Sequence, residues 1–411
     1  MQPLPAFAGY GIELEYAIVD RETLDVRPLA GALLETLAGA PVATVTRGDL
    51  GWSNELVSHV VEIKNNAPSA RLDALPLAFA DEVRAADALL AAHGARLMPT
   101  GMHPWMDPRG ETVLWRGEAA AIYAAFDRIF DCRRHGWANL QSMHVNLPFA
   151  DDREFALLHA AVRAVLPLVP AIAASSPVAD GAPQAELDHR LEVYRTNATR
   201  VPSVTGAVIP PEVVSRDDYE SRVLRPMYRD VAPLDPRGEL QHEWLNARGA
   251  IARFDRHAIE IRLCDTQECP RADLAIAAAV IAVVRCLYEE RWQRASLVRA
   301  LPDDMLVRQL RACIARGDQA IVDDGAYLAV LGLRHPPRSA GEVWAHLIEA
   351  CGERIRAIHG GAAGPLAAII THGTLARRIL RALDERFERQ RLREAYARLC
   401  DCLESNEMFE G

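Results

Sequence analysis

Four short segments, far apart in the chain, alternate apolar residues with charged or hydrogen-bonding ones. They read Gly11-Ile12-Glu13-Leu14-Glu15-Tyr16, Val60-Val61-Glu62-Ile63-Lys64, Met143-His144-Val145-Asn146-Leu147 and Ile259-Glu260-Ile261-Arg262-Leu263. A period of two predicts strands with one apolar and one polar face, because successive side chains point to opposite sides. Glu13 with Glu15, Glu62 with Lys64, His144 with Asn146, and Glu260 with Arg262 would each share a face. Around them the pattern predicts a strand near 10–19, a helix near 28–38, strands within 42–65, a helix near 70–94 and a strand near 95–101. Residues 116–132 read as helix, and 151–174 as a strongly apolar helix capped by Asp151 and Asp152. The Pro- and Arg-rich stretch 176–249 predicts long loops with short helices. Residues 250–265 predict a hairpin turning near 255–257. Beyond Pro270 the period becomes helical, over 272–297, 304–316, 339–357 and 375–402.

The expected fold is α+β: a curved, mostly antiparallel sheet with an active-site concave face and helices packed on the other face. Its strands lie mostly within 9–271 and a helical C-terminal part covers 272–402, the whole of 1–411 forming one domain. Gathered carboxylates repel one another unless cations sit between them, so four polar-faced strands point to a metal-lined site.

Half of the residues are hydrophobic and a quarter charged, which suits a soluble globular enzyme with a sizeable core. The net charge of −10 argues against nucleic acid as a partner, since phosphate-backbone binding needs a basic surface. No signal-peptide pattern or membrane-length apolar run occurs, so a cytoplasmic protein with no membrane contact is expected. The eight cysteines are irregularly spaced and expected to be reduced; the C-x4-C of Cys264 and Cys269 lacks the second pair a structural zinc would need. Lys64 is the sole lysine. No P-loop lysine is available, and phosphate binding must use Arg, backbone or metal.

Glu13 and Glu15, two apart on a strand, suit oxygen ligation of adjacent Mg2+ ions. Glu55 and Glu62 are seven apart, so they share a site only if a turn or bulge separates them. His144 lies on one face with Ser142 and Asn146. His103, in Thr100-Gly101-Met102-His103-Pro104, fits a structural role as well as a functional one. Arg195 and Arg200 stand in a loop with hydroxyl and amide donors and could hold a carboxylate or phosphate. Glu260, Arg262 and Asp265 repeat the logic of the first strand, with Arg262 as an added cation suited to a transferring phosphate.

Taken together, these segments resemble the glutamate-cysteine ligase and carboxylate-amine ligase family, whose catalytic domain is similar to that of glutamine synthetase. The resemblance spans roughly Gly9 to Arg271 and includes Thr100-Gly101-Met102-His103-Pro104, Gln141-Ser142-Met143-His144-Val145-Asn146, Ser175-Ser176-Pro177 and Glu260-Ile261-Arg262-Leu263-Cys264-Asp265. It implies an ATP-dependent ligase that forms an amide through an acyl phosphate at a site of two or three Mg2+ ions, or Mn2+. Its metal ligands would be Glu13, Glu15, Glu55, Glu62, His144 and Glu260. Glu55 and Arg262 are the candidate catalytic residues, and Arg262, Arg195 and Arg200 the candidate ATP contacts. Small-molecule substrates follow, a carboxylate such as glutamate and an amine or amino acid, and a homodimer is the expected assembly. Residues 201–245 match no recognisable substrate pocket. Two other readings use the same surface: a metal-dependent amidase or peptidase that activates water without nucleotide, and a non-catalytic nucleotide- or amino-acid-binding protein.

Overall fold

A computed structural model describes residues 3–334 and 336–411, so residues 1, 2 and 335 of the expected domain lie outside the described part. Eight strands form one antiparallel sheet: β1 (Gly11–Asp20), β2 (Thr44–Arg47), β3 (Leu50–Asn54), β4 (Val60–Asn65), β5 (Ala95–Met98), β6 (Ser142–Pro148), β7 (Ala250–Arg253) and β8 (Ala258–Asp265). Their spatial order is β2-β3-β4-β1-β6-β8-β7. One edge of β1 pairs with β4. Its other edge is divided, with β6 beside residues 11–14 and β5 beside residues 17–20.

The alternation seen in the sequence decides the faces. Ile12, Leu14, Tyr16, Ile18, Val61, Ile63, Met143, Val145 and Ile259 are buried in one continuous apolar core. Helices α2 (Leu75–Leu90), α4 (Asp152–Val165) and α6 (Pro270–Tyr288) pack against that face, α6 in contact with both others. Helix α6 is buried nearly all round, which is why its sequence shows little polar stripe. Helices α1 (Ala30–Ala38), α3 (Ala120–Phe130) and the short α5 (His189–Tyr194) fill the remaining connections.

The α+β class and the helical C-terminal part are as expected, with several boundary corrections. Prolines 167 and 170 break the expected 151–174 helix into α4, a 3-10 turn and the four-residue helix Pro170–Ala173. Asp151 does cap it, accepting the Glu154 N–H at 2.9 Å. The expected 375–402 helix is two, α7 (Leu375–Leu383) and α8 (Arg389–Ser405), because Asp384 and Glu385 adopt left-handed φ of 50° and 57°. Helices Gly325–Val330 and Ala363–His372 carry no counterpart in the sequence reading. Helices α7 and α8 cover the same face of β1 that carries Glu13 and Glu15, at its other end, burying Ala17, Val19 and Met98 in a second apolar cluster. Only the charged half of that face is left open. Among the described residues no helix is long and apolar enough to cross a membrane, and all eight cysteines are free thiols.

Candidate active site

The register of the sheet lays the polar side chains out in transverse rows. Lys64, Glu13 and His144 are directly opposite neighbours across β4, β1 and β6. Ser53, Glu62 and Glu15 form the next row across β3, β4 and β1. Glu260 lies opposite Asn146, completing the floor on β8. Directly opposed like charges destabilise a sheet, so the Glu15–Glu62 juxtaposition costs stability unless something cationic offsets it.

A continuous hydrogen-bond network fixes the floor. Glu15 Oε2 accepts from the Ser142 N–H at 2.7 Å and the Ser142 hydroxyl at 3.0 Å. With its only proton so used, the Ser142 hydroxyl accepts from His144 Nε2 at 2.9 Å. His144 Nδ1 lies 3.0 Å from Glu13 Oε2, and Asn146 Nδ2 donates to Glu13 Oε1 at 3.2 Å. Both imidazole nitrogens therefore act as donors. Burial disfavours the imidazolium, but Glu13, Glu15 and Glu260 outweigh it and push the His144 pKa up to about 9. Burial likewise opposes ionisation of Glu13, and the His144, Lys64 and Arg256 charges reverse the balance, holding it below the usual carboxylate range. Burial and the neighbouring Glu15 and Glu62 charges raise Glu55 well above its ordinary value; burial and Glu13 raise Glu62 despite its 2.5 Å pair with Lys64.

Glu55 joins Glu62 because residues 55–59 form the turn between β3 and β4, which removes the opposite-face problem of their odd spacing. Arg262 Nε donates to Glu260 Oε1 at 2.5 Å, and Arg253 Nη1 to Glu260 Oε2 at 3.4 Å. Arg256 Nη1 stands 3.9 Å from Glu13 Oε1. These groups line a cavity of about 480 Å³. Opposite the charged floor stands an apolar wall of Ile122, Tyr123, Phe126, Trp137, Leu140, Trp244 and Leu245, drawn from α3, the segment after it and the 201–245 region. Phe126 packs on Trp137 and Trp244 with ring centroids 5.4 and 5.8 Å apart. The segment that matched no recognisable pocket thus supplies part of the wall.

The model of glutamate-cysteine ligase family 2 matches residues 10–401. The chain belongs to that family. Membership makes it an enzyme of the carboxylate–amine ligase class. An uncharacterized protein of Archaeoglobus fulgidus is 30% identical over 401 residues, covering 97% of this chain and 99% of that protein. A Corynebacterium glutamicum protein provisionally named glutamate–cysteine ligase 2 is 28% identical over 285 residues, which is 67% of this chain and 65% of that one. Among solved structures, the glutamate–cysteine ligase of Francisella tularensis in complex with AMP superposes with a TM-score of 0.59 at 10% identity, covering 98% of this chain and 90% of that chain. That likeness is one of fold.

Among the described residues of this family member, two sets of three side chains bring ligand atoms within 4.8 Å of one another: Glu13, His144 and Glu260, and Glu15, Glu62 and His144. Four carboxylates with a single imidazole form an oxygen-rich donor set that suits Mg2+ or Mn2+ better than thiophilic ions. Burial first, and then neighbouring carboxylates, raise Glu55 and Glu62, and divalent cations would relieve that cost of ionisation. The sole lysine lies in this floor.

Two expected phosphate contacts are placed elsewhere. Arg195 pairs with Glu192 one turn back along α5, and Arg200 donates to the carbonyls of Arg128 and Ile129 at 3.2 and 3.1 Å; neither borders the cavity. His103 is a buried structural residue, its Nε2 2.7 Å from the Leu24 carbonyl and its ring edge-on to Trp105. Sequence reasoning missed Arg190, Arg253, Arg256 and the aromatic wall. Of these only Arg253 carried a usable signal, a charged residue at the end of the first strand of the recognised hairpin.

Proposed function

We propose that this protein is an ATP- and Mg2+-dependent ligase joining a small carboxylate, glutamate being the first candidate, to an amine in the cytoplasm. The observation that carries the reading is the pair of carboxylate–imidazole sets on one face of the sheet, with the Glu260-held guanidinium of Arg262 at their edge. Glu13, His144 and Glu260 would hold one cation, Glu15 and Glu62 a second, with Glu55 beside them. Bound there, the cations would supply charge neutralisation for the ATP phosphates. In the reaction an oxygen of the substrate carboxylate attacks the γ-phosphorus of ATP and ADP leaves. The amine nitrogen then attacks the acyl carbon of the resulting acyl phosphate, inorganic phosphate departs and the nitrogen loses a proton. On binding the cation His144 would give up its Nδ1 proton, while its Nε2–H bond to the Ser142 hydroxyl keeps the ring oriented; Lys64 balances Glu62, and Arg262, held by Glu260, would contact a phosphate oxygen. The apolar wall limits water, which would otherwise hydrolyse the activated acyl group.

Phosphate release from ATP with Mg2+ tests this, using pools of amines and amino acids with glutamate as the acyl donor. Release that requires both the acid and an amine is expected, and Glu13→Gln and Glu260→Gln should each abolish it in folded protein. Amide hydrolysis in the absence of ATP, with no nucleotide turnover in any pool, would overturn the reading in favour of an amidase.

A further inference from the structure

Three motifs that the metal floor leaves unexplained converge on one buried carboxylate, Asp265. Strand β8 slips register between Ile261 and Cys264, placing one extra residue opposite β6. That bulge reverses the alternation: Asp265 pairs with Ser142 and comes onto the face of Glu260 and Arg262, whereas a regular strand would turn it away. Asp265 Oδ2 accepts from the Ser175 N–H and the Ser176 hydroxyl, each at 2.8 Å. The Ser175 hydroxyl accepts from the Gly101 N–H at 2.8 Å and donates to the Thr266 carbonyl at 2.8 Å. Gly101 is irreplaceable on steric grounds, since a Cβ there would stand 2.4 Å from the Asp265 carboxyl carbon. Thr100 before it holds a φ of 84°, a strained value for a β-branched residue.

The other oxygen of Asp265 takes the Nε–H of Arg190, whose Nη2 donates to the Arg262 carbonyl at 3.3 Å and whose own N–H donates to the Ser176 hydroxyl at 3.0 Å. Arg190 is 2% exposed and still borders the cavity. Among the described residues its Nη1 makes no hydrogen bond. A buried guanidinium is costly to install, and clamping one edge while leaving the other toward a cavity is how a planar fork is preorganised for an oxyanion.

We infer that Arg190, held by Asp265 as a positioning residue, is the cavity's binding group for a substrate oxyanion, either the carboxylate of the acid or amine substrate or a nucleotide phosphate oxygen. The inference deepens the ligase reading and rests on it. It also gives a purpose to Thr100-Gly101, Ser175-Ser176 and Asp265, which build the clamp.

The test is calorimetric titration of the full-length protein in Mg2+ with two probes, ATP and L-glutamate. Arg190→Lys keeps the charge opposite Asp265 but loses the fork. It should weaken one probe at least tenfold and leave the other within about twofold, with Tm unchanged; loss for glutamate assigns a carboxylate, loss for ATP a phosphate. Asp265→Asn should weaken the same probe, and the double variant should bind no worse than Arg190→Lys alone, as expected when one residue acts through the other. If Arg190→Lys does not fold, Arg190→Met with Asp265→Leu removes the buried pair together and should show the same selective loss. Wild-type affinity for both probes in a folded Arg190 variant would overturn this inference alone. Wild-type protein that binds neither probe would overturn the ligase reading and this assignment with it.

Discussion

The two candidate ligand sets share only His144, so they can be separated by substitution. Glu13→Gln keeps the size of the side chain and an acceptor for Asn146 but removes a charged oxygen from the Glu13–His144–Glu260 set alone. Glu62→Gln does the same to the Glu15–Glu62–His144 set and keeps an acceptor for the Ser53 hydroxyl. A cation at a hundredfold its Kd stabilises the fold by about 2.7 kcal/mol per site. For 411 residues, an unfolding entropy of about 2.1 cal/mol/K per residue gives about 0.9 kcal/mol/K, so each filled site raises Tm by about 3 °C. Wild-type protein in saturating MgCl2 or MnCl2 should therefore gain about 6 °C by scanning calorimetry, and each single variant about 3 °C. Mn2+ counted by electron paramagnetic resonance should fall from two bound ions to one in either variant. A full wild-type rise in both variants, or complete loss in each alone, would refute two separable sites.

Other expectations concern residues outside the floor. Asp87 in α2 is held up to about 6 by burial, in spite of the 2.6 Å bond from the Leu97 N–H. Because the folded protein binds this proton more tightly than the unfolded chain, its contribution is greatest below pH 4 and is lost as pH rises through 6. Asp87→Asn keeps the acceptor and should stabilise by about 1–3 kcal/mol at pH 7.5 but not at pH 4 in urea melts; equal gains at both would contradict the assignment. Burial depresses His59 to about 4, and His103 and His159 to about 3, so their neutral forms favour folding above pH 6.5 and this is lost progressively on acidification. Each should cost about 2 kcal/mol at pH 5, and replacing His159 by Phe should flatten that slope by about one third. Arg195→Ala and Arg200→Ala should leave substrate affinity unchanged and Tm within about 2 °C, as the half-buried Arg195–Glu192 pair and the bonds of Arg200 to backbone carbonyls each contribute about 1 kcal/mol; a tenfold loss of affinity in either would restore them to the site.

The floor was legible because its signal is local. Glu13 with Glu15, Glu62 with Lys64, and Ser142 with His144 and Asn146 follow from the period of a strand, and the resemblance supplied the expectation that these strands share one antiparallel sheet. What stayed hidden is how residues outside that period reach the site, which depends on contacts between distant segments. Glu55 enters through a turn whose geometry spacing does not give. Asp265 reaches the site face only because a bulge reverses β8, and nothing in Ile261-Arg262-Leu263-Cys264 marks the extra residue. Arg190 lies in the first turn of α5 and Arg195 is its C-cap, five residues apart. One turns into the cavity and the other pairs with Glu192, a difference set by where Asp265 lies. The helix Ala363–His372 was concealed by Gly364-Pro365, residues that read as a break but are tolerated in a first turn.

The division of one face of β1 between an open charged half and a half sealed by α7 and α8 separates two kinds of mutational damage along a single strand. Conservative substitutions at Glu13 and Glu15 fall among the hydrogen-bonded polar groups lining the cavity, so they would largely spare abundance and remove activity. Substitutions at Ala17 and Val19, the next positions on that face, fall inside a packed cluster with Met98, Ile379 and Leu399 and would lower abundance. Variation within a few residues would thus carry two phenotypes. Distance along the chain, or even membership of the same polar-faced strand, is no guide to which; the helix pair seated at one end of the sheet decides it.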